Sequence, residues 1–310
     1  MSNKKISVII NPNAKKFRTG RASLDAYLKL KSDSVRIYTP GTIVELDKLA
    51  KELSQHRPDY ICIAGGDGTL HVVLSSLINS FLPDSLPPVL ILKEGTMDNV
   101  ARTIQLKGRG PQLLKRLIQS IINNKGIELH DRSTMKINDK YCFLFGTGFV
   151  TNFLVKAYSG KEKGFIRNIQ VALMCVSEAL TSRKDGEIFR EMDGEIFIDG
   201  RKVKINPVQG LLAGSVEHIG MGFSPLPEAS KKDGSFQVIV LGMQPPSILL
   251  YLNKLRTGKN INAAGYLNCH AGEIILRYKS EYDYTMDGDL YRSSGELKVE
   301  LGPVIQLVKV

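Results

Sequence analysis

Hydrophobic and polar positions follow two different rhythms along this chain. Up to about residue 130, short apolar runs alternate with stretches whose apolar residues recur at helical spacing. Residues 6–10 form a run that ends in the turn Asn11-Pro12-Asn13, and residues 24–30 have a helical pattern. Residues 35–38 predict a strand closed by Pro40-Gly41, and residues 43–53 a helix. Residues 60–64 predict a buried strand stopped by Gly65-Gly66, followed by an amphipathic helix over 70–81 and a strand over 89–92. Strands alternating with helices of this length predict a parallel sheet with helices on both faces.

Beyond residue 130 short alternating segments dominate: 134–137, 141–145, 195–198, 202–205, 209–213, 236–241, 273–278, 296–301 and 305–310. Gly, Asp and Pro punctuate them, which is the pattern of an antiparallel sandwich or barrel. A long helix over 165–180 interrupts it, with Phe165, Ile166, Ile169, Ala172, Leu173, Val176 and Leu180 on one side and Arg167, Gln170 and Glu178 on the other. A second helix is predicted over 247–255. The expected organisation is an α/β domain over 1–130 and a β-sandwich domain over 131–302, with the tail 303–310 completing the first.

Composition narrows the classes. At 310 residues the chain exceeds the usual single core, and 43% hydrophobic with 24% charged residues excludes disorder and collagen-like structure. The longest apolar runs fall far short of the roughly 20 residues that span a bilayer, and the first residues resemble no signal peptide. A cytoplasmic location is expected. Cys62, Cys142, Cys175 and Cys269 form no CxxC pair, and the first three sit in apolar stretches, so buried reduced thiols are the reading. The five histidines have no metal-binding spacing. A net charge of +11 favours phosphates, whether of a nucleotide or of anionic lipid, although a solubilising surface explains it as well. No Trp and no aromatic–basic interleaving is present, so nucleic acid is not an expected partner.

The candidate chemistry lies in loops that follow strands. In Gly65-Gly66-Asp67-Gly68-Thr69 two glycines let backbone amides approach an anion, and the next helix offers its N-terminus. Asp67 beside phosphate implies a bridging Mg²⁺ or a role toward a hydroxyl; a tight turn with an acidic cap is the bland alternative. Glu94-Gly95-Thr96-Met97-Asp98-Asn99 follows the next strand, and a helix follows it through Ala101-Arg102. These loops and the Asn11 turn all fall at the carboxyl edge of a parallel sheet, where such folds bind ligands. The GxxxxGK[ST] loop and the protein-kinase motifs are absent.

Asn11-Pro12, GGDGT and the strand followed by Gly-Thr and an Asp/Asn pair resemble the catalytic domain of the diacylglycerol kinase superfamily, which shares GGDGT with NAD kinases. The segment from Ile219 through Pro225-Leu226-Pro227-Glu228-Ala229 to Asp233-Gly234 and the near-terminal Asp287-Gly288-Asp289 resemble the lipid-kinase branch. The resemblance implies ATP-dependent phosphorylation of a lipid hydroxyl at a membrane surface by a cytoplasmic, peripherally associated enzyme. It implies that Asn11, Gly66, Asp67, Thr69 and Thr96, with Gly65, Gly68, Gly95, Thr39 and Lys15 around them, hold ATP and its Mg²⁺. Asp131 would join the Mg²⁺ network, Asp289 would act as general base, and Asp233 would belong to a second, structural Mg²⁺ site. Asp287 reads equally well as a turn residue. Several positions depart from the family pattern. Asn13-Ala14-Lys15 replaces a hydroxyl residue and Gly, with Lys15, Lys16 and Arg18 as substitutes at the phosphates. His71-Val72 replaces Asn-Glu, Asp98-Asn99 inverts the usual pair, Lys232 replaces an Asp, and Asp289 replaces a Glu. The 165–180 helix, with Lys161, Lys163 and Arg167, either packs on the core or touches a bilayer. A kinase of a soluble alcohol and a non-catalytic binder of nucleotide or lipid are the alternatives, and edge strands of the sandwich leave a homodimer open.

Overall fold

Four short strands, β1 (Ile6–Ile10), β2 (Val35–Tyr38), β3 (Tyr60–Gly65) and β4 (Val89–Lys93), pair in parallel in the order β2-β1-β3-β4. Their register runs Ile6↔Val35, Ile6↔Tyr60 and Ile61↔Val89. Every residue of β1 and all but the first of β3 are buried, as expected of parallel strands covered on both faces. The structure is a computed structural model describing residues 4–95, 97–159, 174, 176–179, 186–232 and 234–310. The chain divides into two compact units, one of Met1–Thr134, Asp139–Tyr141 and Gly302–Val310, the other of Met135–Asn138 and Cys142–Leu301.

Six helices belong to the first unit: α1 (Lys15–Arg18), α2 (Leu24–Leu28), α3 (Ile43–His56), α4 (Asp67–Phe81), α5 (Asn99–Thr103) and α6 (Gly110–Ile122). Thr42 caps α3 by accepting from the Glu45 N–H at 3.2 Å, and Arg57 ends it in the left-handed conformation at φ 41°. Its stripe Leu46, Leu49, Ala50 and Leu53 is buried, as are Leu70, Val73, Leu74, Leu77, Ile78 and Phe81 of α4. The Ser76 hydroxyl donates to Asp47 at 2.7 Å and ties the two helices together.

The remaining elements are β5 (Glu128–Ile137), β6 (Lys140–Cys142), β7 (Leu144–Gly148), α7 (Phe149–Tyr158), β8 (Gly194–Ile198), β9 (Arg201–Lys202), β10 (Gly210–Gly214), β11 (Phe236–Leu241), α8 (Pro245–Thr257), β12 (Tyr266–Ala271), β13 (Glu273–Tyr278), β14 (Tyr282–Met286), β15 (Asp289–Ser293) and β16 (Glu296–Lys309). In the second unit β12-β11-β10-β7-β14-β15 form a fully antiparallel sheet. The first part of β16 pairs with β13, and β13 with β8. One core joins the two layers: Phe145, Leu211, Phe236, Val238 and Met286 come from the first, Ile196, Ile274, Leu276 and Val299 from the second. The fold class is therefore mixed α/β with a parallel-rich sheet and a separate antiparallel one. Of the two antiparallel forms the pattern allowed, it is the sandwich.

Differences from the sequence reading are local. Residues 202–205 contribute only Arg201–Lys202 as strand, and 296–301 and 305–310 fuse into β16 across Gly302-Pro303. A Cβ on Gly302 would meet the side chains of Thr134 and Tyr141, so this glycine serves close packing and not a chain break. Helices α6 and α7 and strands β12, β14 and β15 are not among the predicted elements. Of the helix expected over 165–180, only 174 and 176–179 are described, and these are helical. Cys62 and Cys142 are buried free thiols and Cys269 is a half-buried one; Cys175 lies outside the described residues. No helix among the described residues is long and apolar enough to cross a membrane.

Candidate functional site

Parallel pairing brings the carboxyl ends of β1 to β4 to one edge of the first unit, and the turns that leave β1, β3 and β4 meet there. Asn11, just after β1, donates from Nδ2 to Thr69 Oγ1 at 2.9 Å, and its Oδ1 accepts from the Asn13 N–H at 2.9 Å. Gly66 is the N-cap of α4 and makes no side-chain cap hydrogen bond, so the first-turn amides of Asp67, Gly68 and Thr69 keep their donors for another partner. A Cβ on Gly95 would stand 2.5 Å from Gly66 Cα, and one on Gly65 would strike the Thr69 side chain. The glycines therefore let the loops after β3 and β4 touch backbone to backbone. Neither Gly65, Gly66 nor Gly95 uses a positive φ.

Asp67 opens α4, and both its carboxylate oxygens accept from the Asn99 N–H, at 3.0 and 3.2 Å. Burial raises its pKa to about 6; the neighbouring Asp98 pushes the same way, and the amides of Asn99 and Val100 and the Arg102 guanidinium pull against them. Asp98 adopts the left-handed conformation (φ 48°) and accepts from the Gly95 N–H at 2.9 Å. Asp is one of the few residues at ease there, which gives the inverted Asp98-Asn99 pair a backbone role: the first closes the loop, the second supplies Asp67 with its amide. Thr96 lies outside the described residues.

A network that the motifs did not indicate lies under this edge. The Tyr27 hydroxyl, fully buried, donates to Glu94 Oε1 at 2.6 Å. Lys16 Nζ donates to the Lys93 carbonyl at 2.9 Å and stands 4.0 Å from both Glu94 and Asp98. Burial raises the pKa values of Glu94 and Asp98, and Lys16 pulls both back. The available signal was Glu94 itself, an acidic residue directly ending an apolar strand, which demands a buried partner.

The other candidates belong to other elements of the two units. Lys15 and Thr39 are exposed at α1 and just after β2. Asp131 is exposed on β5, where its Oδ1 accepts from Gln306 Nε2 at 3.3 Å. His71 is buried and pairs through Nδ1 with the Tyr141 carbonyl at 2.7 Å, a structural tie. In the second unit Asp287 (φ 50°) and Gly288 (φ 93°) form the turn between β14 and β15. The Asp287 carboxylate accepts from the Phe143 and Leu144 N–H groups at 2.8–3.1 Å, so it pins the hairpin. Asp289 begins β15, is exposed, and raises the pKa of Tyr291, already pushed up by burial, to about 12. Asp233 lies outside the described residues; beside it Lys232 is exposed, and burial together with the Lys232 charge lowers the His270 pKa.

Among the described residues no group of three or more His, Cys, Asp or Glu could hold a metal ion. Mg²⁺ needs no such cage: it takes one or two carboxylates and completes its shell with water and substrate phosphate. Asp67, at an uncapped helix N-terminus, has the chemistry for that arrangement.

The fold is that of a two-unit protein shared with bacterial kinases of known structure. The chain is similar to "Crystal structure of a putative diacylglycerol kinase from Bacillus anthracis str. Sterne", with TM-score 0.73 and 19% identity, covering 99% of this chain and 97% of that one. A diacylglycerol kinase structure from the same organism gives TM-score 0.68 at 16% identity with the same coverage. Two Staphylococcus epidermidis proteins, "Putative lipid kinase" and "Putative lipid kinase SERP0390", are each 26% identical over 236 residues, covering 75% of this chain and 70% of theirs. Residues 5–127 match the model of the diacylglycerol kinase catalytic domain.

Proposed function

We propose that the protein transfers the γ-phosphoryl group of ATP to the hydroxyl of a lipid alcohol, diacylglycerol being the first candidate. The observation that carries the reading is the junction of two glycine loops at the uncapped N-terminus of α4, with Asp67 held beside it by the Asn99 amide. Backbone N–H groups and the positive end of a helix dipole suit an anionic phosphate. In the transfer, the bond from the acceptor oxygen to phosphorus forms as that from the leaving bridge oxygen breaks; ADP departs, and the acceptor's proton passes to a carboxylate. Mg²⁺ would neutralise the charge that develops on the phosphate oxygens. Asp67 is the residue we assign to hold it, with Asp131 as its assigned partner. Asn11 keeps Thr69 oriented, and Asp289 is assigned the acceptor's proton. The names of the relatives support the lipid class of acceptor.

The test is transfer of radiolabelled γ-phosphate from ATP to mixed micelles containing diacylglycerol, monoacylglycerol, ceramide or sphingosine, with NAD as a soluble acceptor. Label on one lipid in the wild type, reduced about 10²–10³-fold in Asp67→Asn, is the expected result. Label on NAD alone would move the protein to soluble acceptors. No label on any acceptor, with ATP bound equally by wild type and variant, would overturn the reading.

A further inference from the structure

The turn after β1 and the loops after β3 and β4 are tied to one another in pairs, each pair by a different contact. Asn11 Nδ2 donates to Thr69 Oγ1 at 2.9 Å and joins the first to the second. Gly66 and Gly95 join the second to the third, so closely that a Cβ on Gly95 would stand 2.5 Å from Gly66 Cα. The tie between the third and the first is Lys16, on the short helix α1 that follows the β1 turn. Its Nζ donates to the Lys93 carbonyl at 2.9 Å, across 77 positions of sequence. The same ammonium stands 4.0 Å from Glu94 Oε2 and 4.0 Å from Asp98 Oδ2. The other oxygen of each carboxylate is already engaged: Tyr27 donates its hydroxyl to Glu94 Oε1 at 2.6 Å, and Gly95 its N–H to Asp98 Oδ1 at 2.9 Å. The backbone of Lys16 is held as well, its carbonyl accepting from the Arg21 and Ala22 N–H groups at 2.9 and 3.0 Å. Lys15 and Arg18, on the same helix, are exposed instead.

An ammonium shared by two carboxylates that are only 5% and 8% exposed is committed where it stands. Moving it onto a ligand phosphate would leave Glu94 and Asp98 poorly solvated and short of their nearest cation. Lys93, Arg102 and Arg109 act on these carboxylates too, but from beyond ion-pair distance. Asp98 is also near enough to Asp67 to oppose its ionisation. Without Lys16, uncompensated charge would therefore gather at the edge that is to accept an anion. We infer that Lys16 is a positioning residue: it closes the ring of loops by pinning the loop after β4 to the turn after β1, balances Glu94 and Asp98, and leaves the phosphates of the nucleotide to Lys15, Arg18 and the first amides of α4.

The inference rests on the ATP reading for its purpose, and two assays separate them. In the first, hydrogen exchange of the nucleotide-free full chain follows the amides of Gly95 and Asn99, which donate to Asp98 and Asp67. Lys16→Met should speed both at least about tenfold while β11 of the second unit keeps its wild-type rates. Lys16→Arg keeps the charge, and Lys16→Met/Asp98→Asn removes one charge of each sign while leaving Gly95 an acceptor. Both should return the two amides to within about threefold of wild type. In the second assay, calorimetry measures binding of ATP with Mg²⁺. Lys16→Met should weaken it about tenfold or more, and the double variant should regain most of that loss, because balanced charge restores a position but cannot replace a phosphate contact. Unchanged exchange in Lys16→Met overturns the inference, whether or not ATP binds. So does a double variant that binds ATP as weakly as Lys16→Met, since Lys16 would then grip phosphate itself. Circular dichroism checks folding, and a Lys16→Met chain that folds only when Asp98→Asn accompanies it upholds the tie. Faster exchange in Lys16→Met, restored in the double variant, upholds the tie even where no ATP binds; the kinase reading alone then falls.

Discussion

Asp67 has a carboxyl group that folding makes harder to ionise, its pKa rising from the usual 3.8 to about 6 through burial. A raised carboxyl pKa favours the native state in acid, and the advantage is lost as the pH climbs through 6. In nucleotide-free buffer Asp67→Asn should therefore raise stability by about 1–2 kcal/mol at pH 7.5, the gain fading toward pH 4; thermal melts across that range measure it. Activity should respond in the opposite sense. On the proposed reading Asp67 binds Mg²⁺ in its ionised form, so kcat/KM should fall about tenfold per pH unit below pH 6. Asp287 shows the contrasting use of a carboxylate. It is buried and satisfied by the Phe143 and Leu144 amides, so Asp287→Ala strands those donors and should cost about 2–4 kcal/mol in urea unfolding. Tyr27→Phe removes the only neutral donor described on buried Glu94 and should cost about 1–3 kcal/mol, read the same way.

At the scale of elements, strands and loops depend on each other through glycine. The loops after β3 and β4 approach so closely that Gly95→Ala would force Gly66 away by a Cβ contact of 2.5 Å. Displacement of both loops is expected, with ATP affinity, measured by calorimetry, falling at least tenfold. Much of this level was legible in the chain. The strands at 6–10 and 236–241 coincide with β1 and β11, because continuous burial writes a mostly apolar run bounded by turn residues; 35–38 coincides with β2, where Val35 alone is buried and the turn at Pro40-Gly41 marks the end. The misses have physical causes. Helix α6 begins at Gly110-Pro111, a pair that reads as a loop although Pro is well suited to a first helical turn. Strand β15 has exposed or half-buried residues throughout, so no apolar face announced it. Asp131 and Asp289 could be named only through family likeness, and their surroundings owe more to sheet pairing than to local sequence. The Tyr27–Glu94 contact joins residues 67 positions apart, which no local pattern encodes.

On the scale of the molecule, the first unit is assembled from distant parts of the chain. Residues 302–310 return to it: Leu307 pairs with Val89, Thr134 Oγ1 donates to the Pro303 carbonyl at 2.8 Å, and Lys309 bonds Glu128 at 3.1 Å. Ile305, Leu307 and Val308 are all buried. A fragment of residues 1–134 lacks that strand, and hydrogen exchange should find β4 poorly protected in it. Supplying 302–310 through a short Gly/Ser linker should restore protection.

That returning strand also sets an order of events during synthesis. On the ribosome the nascent N-terminal portion emerges first but stays unsealed along β4 until the whole intervening sandwich has been translated. The part of the protein with the glycine loops is thus the last to mature, and premature termination shortly after Leu301 would leave a finished sandwich attached to an open, aggregation-prone sheet edge.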